Sequence, residues 1–290
     1  MIERLALGTV QFGLPYGIAN RVGQPSLAEA ARIVADAHAA GVDTLDTAVA
    51  YGSSEARLGE IGVADWRVIT KLPAVPDGLT DVRRWVRDSL GASLERLGVS
   101  AVTGLLLHRA ADLCGRVGPD LGRALRDERD AGRALRVGVS IYDPSELDAI
   151  WPDFQPDLVQ GPYSVVDRRL DTSGWLDKLA AHGCEVHTRS VFLQGVLLMP
   201  SDARPVRFAR WPEVWSAWAN WLSESGRSPL EAALAHALAH PGISRVLVGV
   251  DSVAQLDAIV SAAGGLPLAA PQGVASADLD LIDPSRWHAA

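Results

Sequence analysis

The stretch Gly41-Val42-Asp43-Thr44-Leu45-Asp46-Thr47-Ala48, followed closely by Tyr51-Gly52-Ser53-Ser54-Glu55, decides the reading of this chain. Thr44 to Asp46 is a strand end that closes on a carboxylate, and a helix starts near Ser54-Glu55 with Tyr51 in the loop between them. The rest of the chain repeats this unit. Strand-like runs occur at Leu5 to Thr9, Arg67 to Lys71, Thr103 to Leu107, Val137 to Ser140, Leu158 to Gln160, Glu185 to Thr188 and Val246 to Val248. Amphipathic segments of helical period separate them. Ser26 caps the one carrying Leu27, Ala31, Val34 and Ala35. Asp81 to Leu97 and Leu121 to Ala131 have the same period, and Pro144 stands just inside a further helix. Ser228-Pro229-Leu230-Glu231 is a capping box with proline at the first helical position.

About eight strand-helix units with apolar strands predict an α/β protein whose parallel sheet is covered on both faces. In 290 residues they favour a closed (β/α)8 TIM barrel over an open doubly wound sheet. No GxGxxG follows the first strand, which weakens a Rossmann reading. No linker splits the chain, so one barrel domain is expected over residues 1–290. A loop rich in Gly, Pro and Asn runs from Gly13 to Gln24, and a tail from Gly264 to Ala290 is expected to pack across one end.

With 48% hydrophobic and 21% charged residues, the chain can build a large core. A net charge of -8 argues against a nucleic-acid binder, although a pocket can still be locally positive. No apolar run reaches about 18 residues, and Met1 to Gly8 lacks a signal-peptide pattern, so a cytoplasmic protein without a membrane span is expected. Cys114 and Cys184 read as buried or semi-buried thiols, and no metal site is expected. His38, His182, His236 and His240 read as surface residues on helices, and His187 as a satisfied core histidine. Trp211, Trp215, Trp218 and Trp221 have a mostly helical spacing, which suits packing against the barrel. The run Arg123 to Arg136 reads as a solvated helix face.

In such barrels, chemistry sits at the C-terminal strand ends. That rule singles out Asp46, Lys71, His108, Ser140, Gln160 and Ser190, with Tyr51 nearby. Singly, Asp46 could be a helix cap and Lys71 a surface lysine. Together, four of these residues make a proton-delivery device. A free tyrosine has a pKa of about 10; a lysine cation lowers it, an aspartate holds the lysine, and a histidine orients a carbonyl oxygen.

The quoted stretch, with Leu58-Gly59, closely resembles the signature of the aldo-keto reductase superfamily. The resemblance implies an (α/β)8 barrel, a nicotinamide cofactor bound without a Rossmann domain, and an Asp-Tyr-Lys-His tetrad. It places the tetrad on Asp46, Tyr51, Lys71 (in Ile69-Thr70-Lys71) and His108 (in Leu106-Leu107-His108). It also implies cofactor contacts along nearly the whole chain: Thr9 in the opening loop, Ser140 and Gln160 at the carboxamide, and Arg189, Ser190 and Phe192 at the pyrophosphate strap. Gly249, Asp251, Ser252 and Gln255 correspond to the adenosine end.

NADP(H) is the family's usual cofactor, with NAD(H) left open because Asp251 would repel a 2′-phosphate. Two positions depart from the family pattern. Ile141 follows Ser140 where asparagine is usual, and Arg189 replaces an aromatic residue that stacks on the nicotinamide. That guanidinium could stack instead, or reach an anionic substrate or a phosphate.

The implied reaction is reduction of an aldehyde, ketone or sugar-type carbonyl to an alcohol, or the reverse, with Tyr51 as general acid or base. The segments Gly8 to Gly13 and Arg189 to Gly195 resemble a bacterial branch linked with sugar and polysaccharide metabolism, which makes a sugar-type or other polar small molecule the leading partner. Two other readings keep the same barrel: a redox-neutral epimerase or eliminating enzyme with tightly held NAD(P), and a cofactor-binding regulatory subunit. The oligomeric state is open.

Overall fold

The eight apolar runs form eight strands in the computed structural model, which describes residues 1–20 and 22–287. They are β1 Leu5–Gly8, β2 Thr44–Asp46, β3 Arg67–Leu72, β4 Val102–Leu107, β5 Ala134–Ser140, β6 Leu158–Pro162, β7 Glu185–Arg189 and β8 Arg245–Gly249. Every pairing is parallel, and β8 pairs back onto β1 through Leu5↔Val246 to Gly8↔Gly249, which closes the barrel.

Helices α1 Leu27–Ala39, α2 Ser54–Ile61, α3 Val82–Leu97, α4 Gly118–Asp130, α5 Ser145–Ile150, α6 Trp175–Ala181, α7 Pro212–Ser225, α8 Pro229–Ala239 and α9 Val253–Ala263 intervene or follow. Their ends are set locally. The Ser26 side chain accepts from the Glu29 N–H at 3.1 Å, and Ser228 and Glu231 form the expected box around Pro229. Helix α5 begins one residue after Pro144 rather than including it. In α1, Ala30, Ile33, Val34 and Ala37 make the buried stripe.

Side chains alternate across each strand, so every second residue points into the barrel. Ile69, Leu106 and Leu158 form an apolar floor there. Two residues further along the same strands stand Lys71, His108 and Gln160, and the alternation that packs the floor thereby lifts polar groups to the C-terminal rim.

Helix α7 buries Trp218 and Trp221. The tail reaches the segments after β6 and β7: Ser276 N–H donates to the Val166 carbonyl, Arg168 donates to the Pro271 carbonyl, and Trp287 packs on Phe208. Its last three residues, 288–290, lie outside the described residues, as does residue 21 of the early loop.

Two expectations are corrected. His236 is buried, not on the surface, because the tail covers the outer side of α8: its Nδ1 accepts from the Ala270 N–H, and its ring stacks on Tyr163. Cys114 is exposed at the end of a turn after β4, whereas Cys184 is buried. Among the described residues no helix is long and apolar enough to cross a membrane, and no group of three or more His, Cys, Asp or Glu could hold a metal ion.

The opposite rim is tied by charge. Glu185 accepts from His187 Nε2 at 2.9 Å and faces Arg136 at 3.0 Å and Arg67 at 3.4 Å, while the His187 Nδ1 is buried without a partner. The bond from His187, with help from the two arginines, outweighs burial and holds the Glu185 carboxyl down at about 2. Its stabilisation is therefore present above the ordinary value of 4.5 and fades as pH falls from there toward 2. Between about pH 5 and pH 2.5, wild type is expected to lose on the order of 2 kcal/mol more stability to urea than Glu185→Gln. Parallel profiles for the two proteins would refute this assignment.

Candidate active site

The four residues expected to deliver a proton converge at the C-terminal rim. Lys71 is completely buried at the end of β3. Its ammonium donates to Asp46 Oδ1 at 2.6 Å, to the Thr47 carbonyl at 3.0 Å and to the Tyr51 hydroxyl at 3.4 Å, so its three protons are all placed. The other Asp46 oxygen accepts from Gln160 Nε2 at 2.6 Å. His108 stands edge-on to the Tyr51 ring with centroids 5.7 Å apart.

Burial works against the Lys71 charge, but Asp46 and Tyr51 prevail and raise its pKa above the ordinary lysine value. For Tyr51, burial pushes the pKa up and Lys71 pulls it down, and burial wins. The expected lowering of the tyrosine pKa is thus corrected: Lys71 offsets only part of the cost of desolvating a phenolate, which leaves a protonated donor in the site. Burial first, and then the Lys71 charge, bring His108 down to about 4, so the imidazole is neutral near pH 7.

Two networks place the Tyr51 loop. The Thr9 hydroxyl donates to the Asp46 carbonyl at 2.9 Å and meets Ser54 Oγ at 2.8 Å. Behind the site, buried Glu55 accepts from Thr70 at 2.6 Å and from Arg96 at 2.6 and 2.8 Å, which locks α2 to the strand that carries Lys71.

A cleft of about 550 Å³ opens above these groups, and Asp46, Tyr51, His108, Ser140, Gln160 and Arg189 line one side of it. Ser190 and Phe192 line the stretch after β7, and Gly249, Asp251 and Gln255 line the β8 end. Of two further expected cofactor contacts, one lines the cleft and the other does not. Thr9 borders the cleft, but its hydroxyl is engaged in holding β1 to β2. Ser252 is not among the lining residues, because its side chain caps α9 by accepting from the Gln255 N–H. None of Trp211, Trp215, Trp218 and Trp221 lines the cleft.

Several lining residues were not singled out from the sequence. Gln11 Oε1 is buried without a partner over Gly249, where a Cβ would come within 2.9 Å of the Gln11 amide. The early loop crosses to the far wall: the Gln194 amide donates to the Tyr16 hydroxyl at 3.1 Å, and the Asn20 amide donates to Asp251 at 3.2 Å. These contacts join positions more than 170 residues apart, which local pattern does not reveal. The loop after β7 is strained, with positive φ at Ser190, Leu193 and Gln194.

The sequence profile described as "Aldo/keto reductase family" matches residues 4–271. The chain belongs to this family. It is 35% identical over 135 residues to an aldo-keto reductase of Mycobacterium sp. (strain MCS), which is 44% of this chain and 46% of that protein. The chain therefore spans about half the length of the first curated relatives it matches. Over 276 residues, covering 89% of this chain and 85% of the other, it is 26% identical to L-galactose dehydrogenase of Arabidopsis thaliana. Its fold is similar to that of an aldo-keto reductase from Bacillus halodurans solved in a holo form, with a TM-score of 0.73, 23% identity, and coverage of 98% of this chain and 95% of that one. Against this family background, Ile141 is fully buried after Ser140 and offers no side-chain hydrogen bond, and the Arg189 guanidinium lies over the Tyr142 ring, 4.4 Å from its centroid.

Proposed function

We propose that the chain is an NAD(P)H-dependent oxidoreductase that interconverts a carbonyl and an alcohol, with Tyr51 as the proton donor. The observation that carries this reading is the Lys71 ammonium, buried beneath the cleft and shared between Asp46, the Thr47 carbonyl and the Tyr51 hydroxyl.

The cleft suits a nicotinamide. Gln160 Oε1 and Gln11 Oε1 are buried acceptors with no partner among the described residues, which such a site leaves for a ligand's donors. Gln160 Oε1 and the Ser140 hydroxyl, neighbours in the β5–β6 register, would hold the carboxamide. Positive φ at Ser190 and at Leu193, Gln194 and Gly195 turns the backbone sharply beside the cleft, where its N–H groups would meet phosphate oxygens. When bound, the reduced cofactor supplies hydride to the carbonyl carbon.

The protein's part is proton delivery and charge control. Tyr51 gives its proton to the carbonyl oxygen as negative charge develops there, and Lys71 stabilises the phenolate left behind. Asp46 fixes the lysine, and Gln160 fixes Asp46. Neutral His108 orients the oxygen through its one N–H, since at about 4 its pKa is too low for it to hold a positive charge near pH 7. In the reverse direction Tyr51 accepts the alcohol proton. A sugar-type or other polar carbonyl is the leading substrate, a reading supported by the L-galactose dehydrogenase similarity.

The test is a titration of tryptophan fluorescence with NADPH and with NADH, followed by a carbonyl screen with the form that binds. Quenching by neither form would defeat the reading. Asp251 weighs against the 2′-phosphate of NADP(H), the family's usual cofactor. Replacing it with Asn is expected to strengthen NADPH binding relative to NADH by about tenfold, the effect of one like charge removed from a half-buried site. An unchanged ratio would show that the 2′-phosphate lies away from Asp251.

A further inference from the structure

Arg189 closes β7 on the inward face, two residues beyond His187. Three contacts hold its guanidinium flat: Nη2 donates to the Ile141 carbonyl at 3.1 Å, Nη1 donates to Ser190 Oγ at 3.3 Å, and the Tyr142 ring lies beneath it. A guanidinium has five N–H donors, so a fork remains to bind something else. Some part-buried arginines of this protein meet carboxylates, whereas Arg4 and Arg168 donate mainly to backbone carbonyls. Arg169 pairs with Asp143 and Asp167, Arg245 with Asp43, and Arg96 with Glu55. Arg189 has no such partner among the described residues, where its polar contacts are a carbonyl and a hydroxyl.

Arg189 is also the one lysine or arginine among the described residues that line the cleft. The two carboxylates lining the cleft are accounted for. Asp46 is spent on Lys71 and Gln160, and Asp251 stands at the β8 end, held by Asn20. Among the described residues the cleft is thus polarised, with negative charge at the β8 end and a fixed positive charge on the wall shared with Tyr51 and His108. An anionic group on a ligand is driven away from the first and toward the second. Tyr16 and Tyr142, both exposed in part, line the same cleft.

We propose that Arg189 receives an anionic group, a carboxylate or a phosphate ester, carried by the carbonyl substrate itself. The proposal rests on the reductase reading and adds a substrate class to it. A planar fork pre-set on an aromatic face binds such groups through paired charge-assisted hydrogen bonds and pays little ordering entropy. With the anion on Arg189, the carbonyl is held beside the Tyr51 hydroxyl, and the otherwise uncompensated charge is neutralised.

The test compares matched pairs under saturating cofactor: 4-formylbenzoate against 4-formylbenzamide for the carboxylate, and glyceraldehyde 3-phosphate against glyceraldehyde for the phosphate. Wild type is expected to favour the anionic member of one pair by at least about tenfold in kcat/KM, and the pair that responds names the group. In Arg189→Gln the ratio should collapse toward one, and Arg189→Lys should retain part of it. No anionic preference in either pair, or a preference that survives Arg189→Gln, overturns the proposal. So does an Arg189→Gln variant whose loss is equal for charged and neutral members and is matched by weaker NADPH and NADH binding, since Arg189 would then serve the cofactor's phosphates. A wild type that reduces none of the four aldehydes counts against the reductase reading instead. The anion site is then decided by calorimetry with benzoate and phosphate against benzamide: binding of an anion that disappears in Arg189→Gln supports it, and no anion binding overturns it.

Discussion

Tyr51→Phe is expected to lower turnover by about 10³–10⁴-fold while leaving the dissociation constant of the nicotinamide cofactor within about twofold. The substitution removes one oxygen and keeps the ring, so the edge contact with His108 and the packing beneath the cleft persist. The loss falls on the transition state. Without the hydroxyl, the charge developing on the carbonyl oxygen meets the N–H of a neutral imidazole and no acid able to hand over a proton. Lys71 keeps Asp46 and the Thr47 carbonyl as partners, which limits the cost to the fold. Single-turnover rates with bound cofactor, read alongside a fluorescence titration, separate chemistry from binding. Turnover near the wild-type rate would remove Tyr51 from the mechanism and favour the redox-neutral or regulatory readings of the same barrel.

Gly13→Ala carries the second large effect, and its basis is steric. Gly13 ends a single helical turn at Val10–Gly13, and its backbone presses on the loop that carries Tyr51. A Cβ there would lie 1.7 Å from the Tyr51 carbonyl oxygen and 2.7 Å from the Ser54 nitrogen. Gly52 answers from the other side with φ +58 and its own approach to the Gly13 carbonyl. Neither obstacle is a flexible side chain, so the loop must move. The expected cost is about 3 kcal/mol of stability, the upper end for overpacking. Displacement of the Tyr51 hydroxyl from Lys71 should also reduce kcat by about a hundredfold, since misplacement of about 1 Å has that effect. Urea unfolding and kcat measured on the same preparation test both effects. Gly91→Ala is the control, because it lies within α3 with nothing near its Cβ. A Gly13→Ala protein as stable and active as the control would show that the two backbones are not in obligatory contact.

Much of the barrel is legible in the sequence. The Ser26 cap and the Ser228–Glu231 box fix helix starts through side chains three residues from the backbone groups they bind, so they are local by construction. The strands were short but correctly located, and most grew by one to three residues, as at β5, where Ala134 to Arg136 join Val137–Ser140. Those extra residues include charged side chains that belong to a strand only because its neighbours pair with them. Thr9 and Ser252 show the opposite limit. Both lie in stretches that resemble cofactor-contact segments, yet one hydroxyl is taken by the Asp46 carbonyl and the other by the helix it caps.

The sequence by itself determined which residue types stand at which strand ends. Strand period, helix caps and the order Asp46, Tyr51, Lys71, His108 are properties of neighbouring residues, and they survive any change of distant context. Only the tertiary structure decided what those residues become. Lys71 is wholly buried, Tyr51 stays a protonated acid although a cation touches it, His236 is sealed by the tail, and the early loop reaches Gln194 and Asp251 across the cleft. Each of these depends on how much water is excluded and on partners that arrive from tens to hundreds of residues away. Desolvation and long-range contact are created when the barrel closes, and no local stretch of sequence carries them.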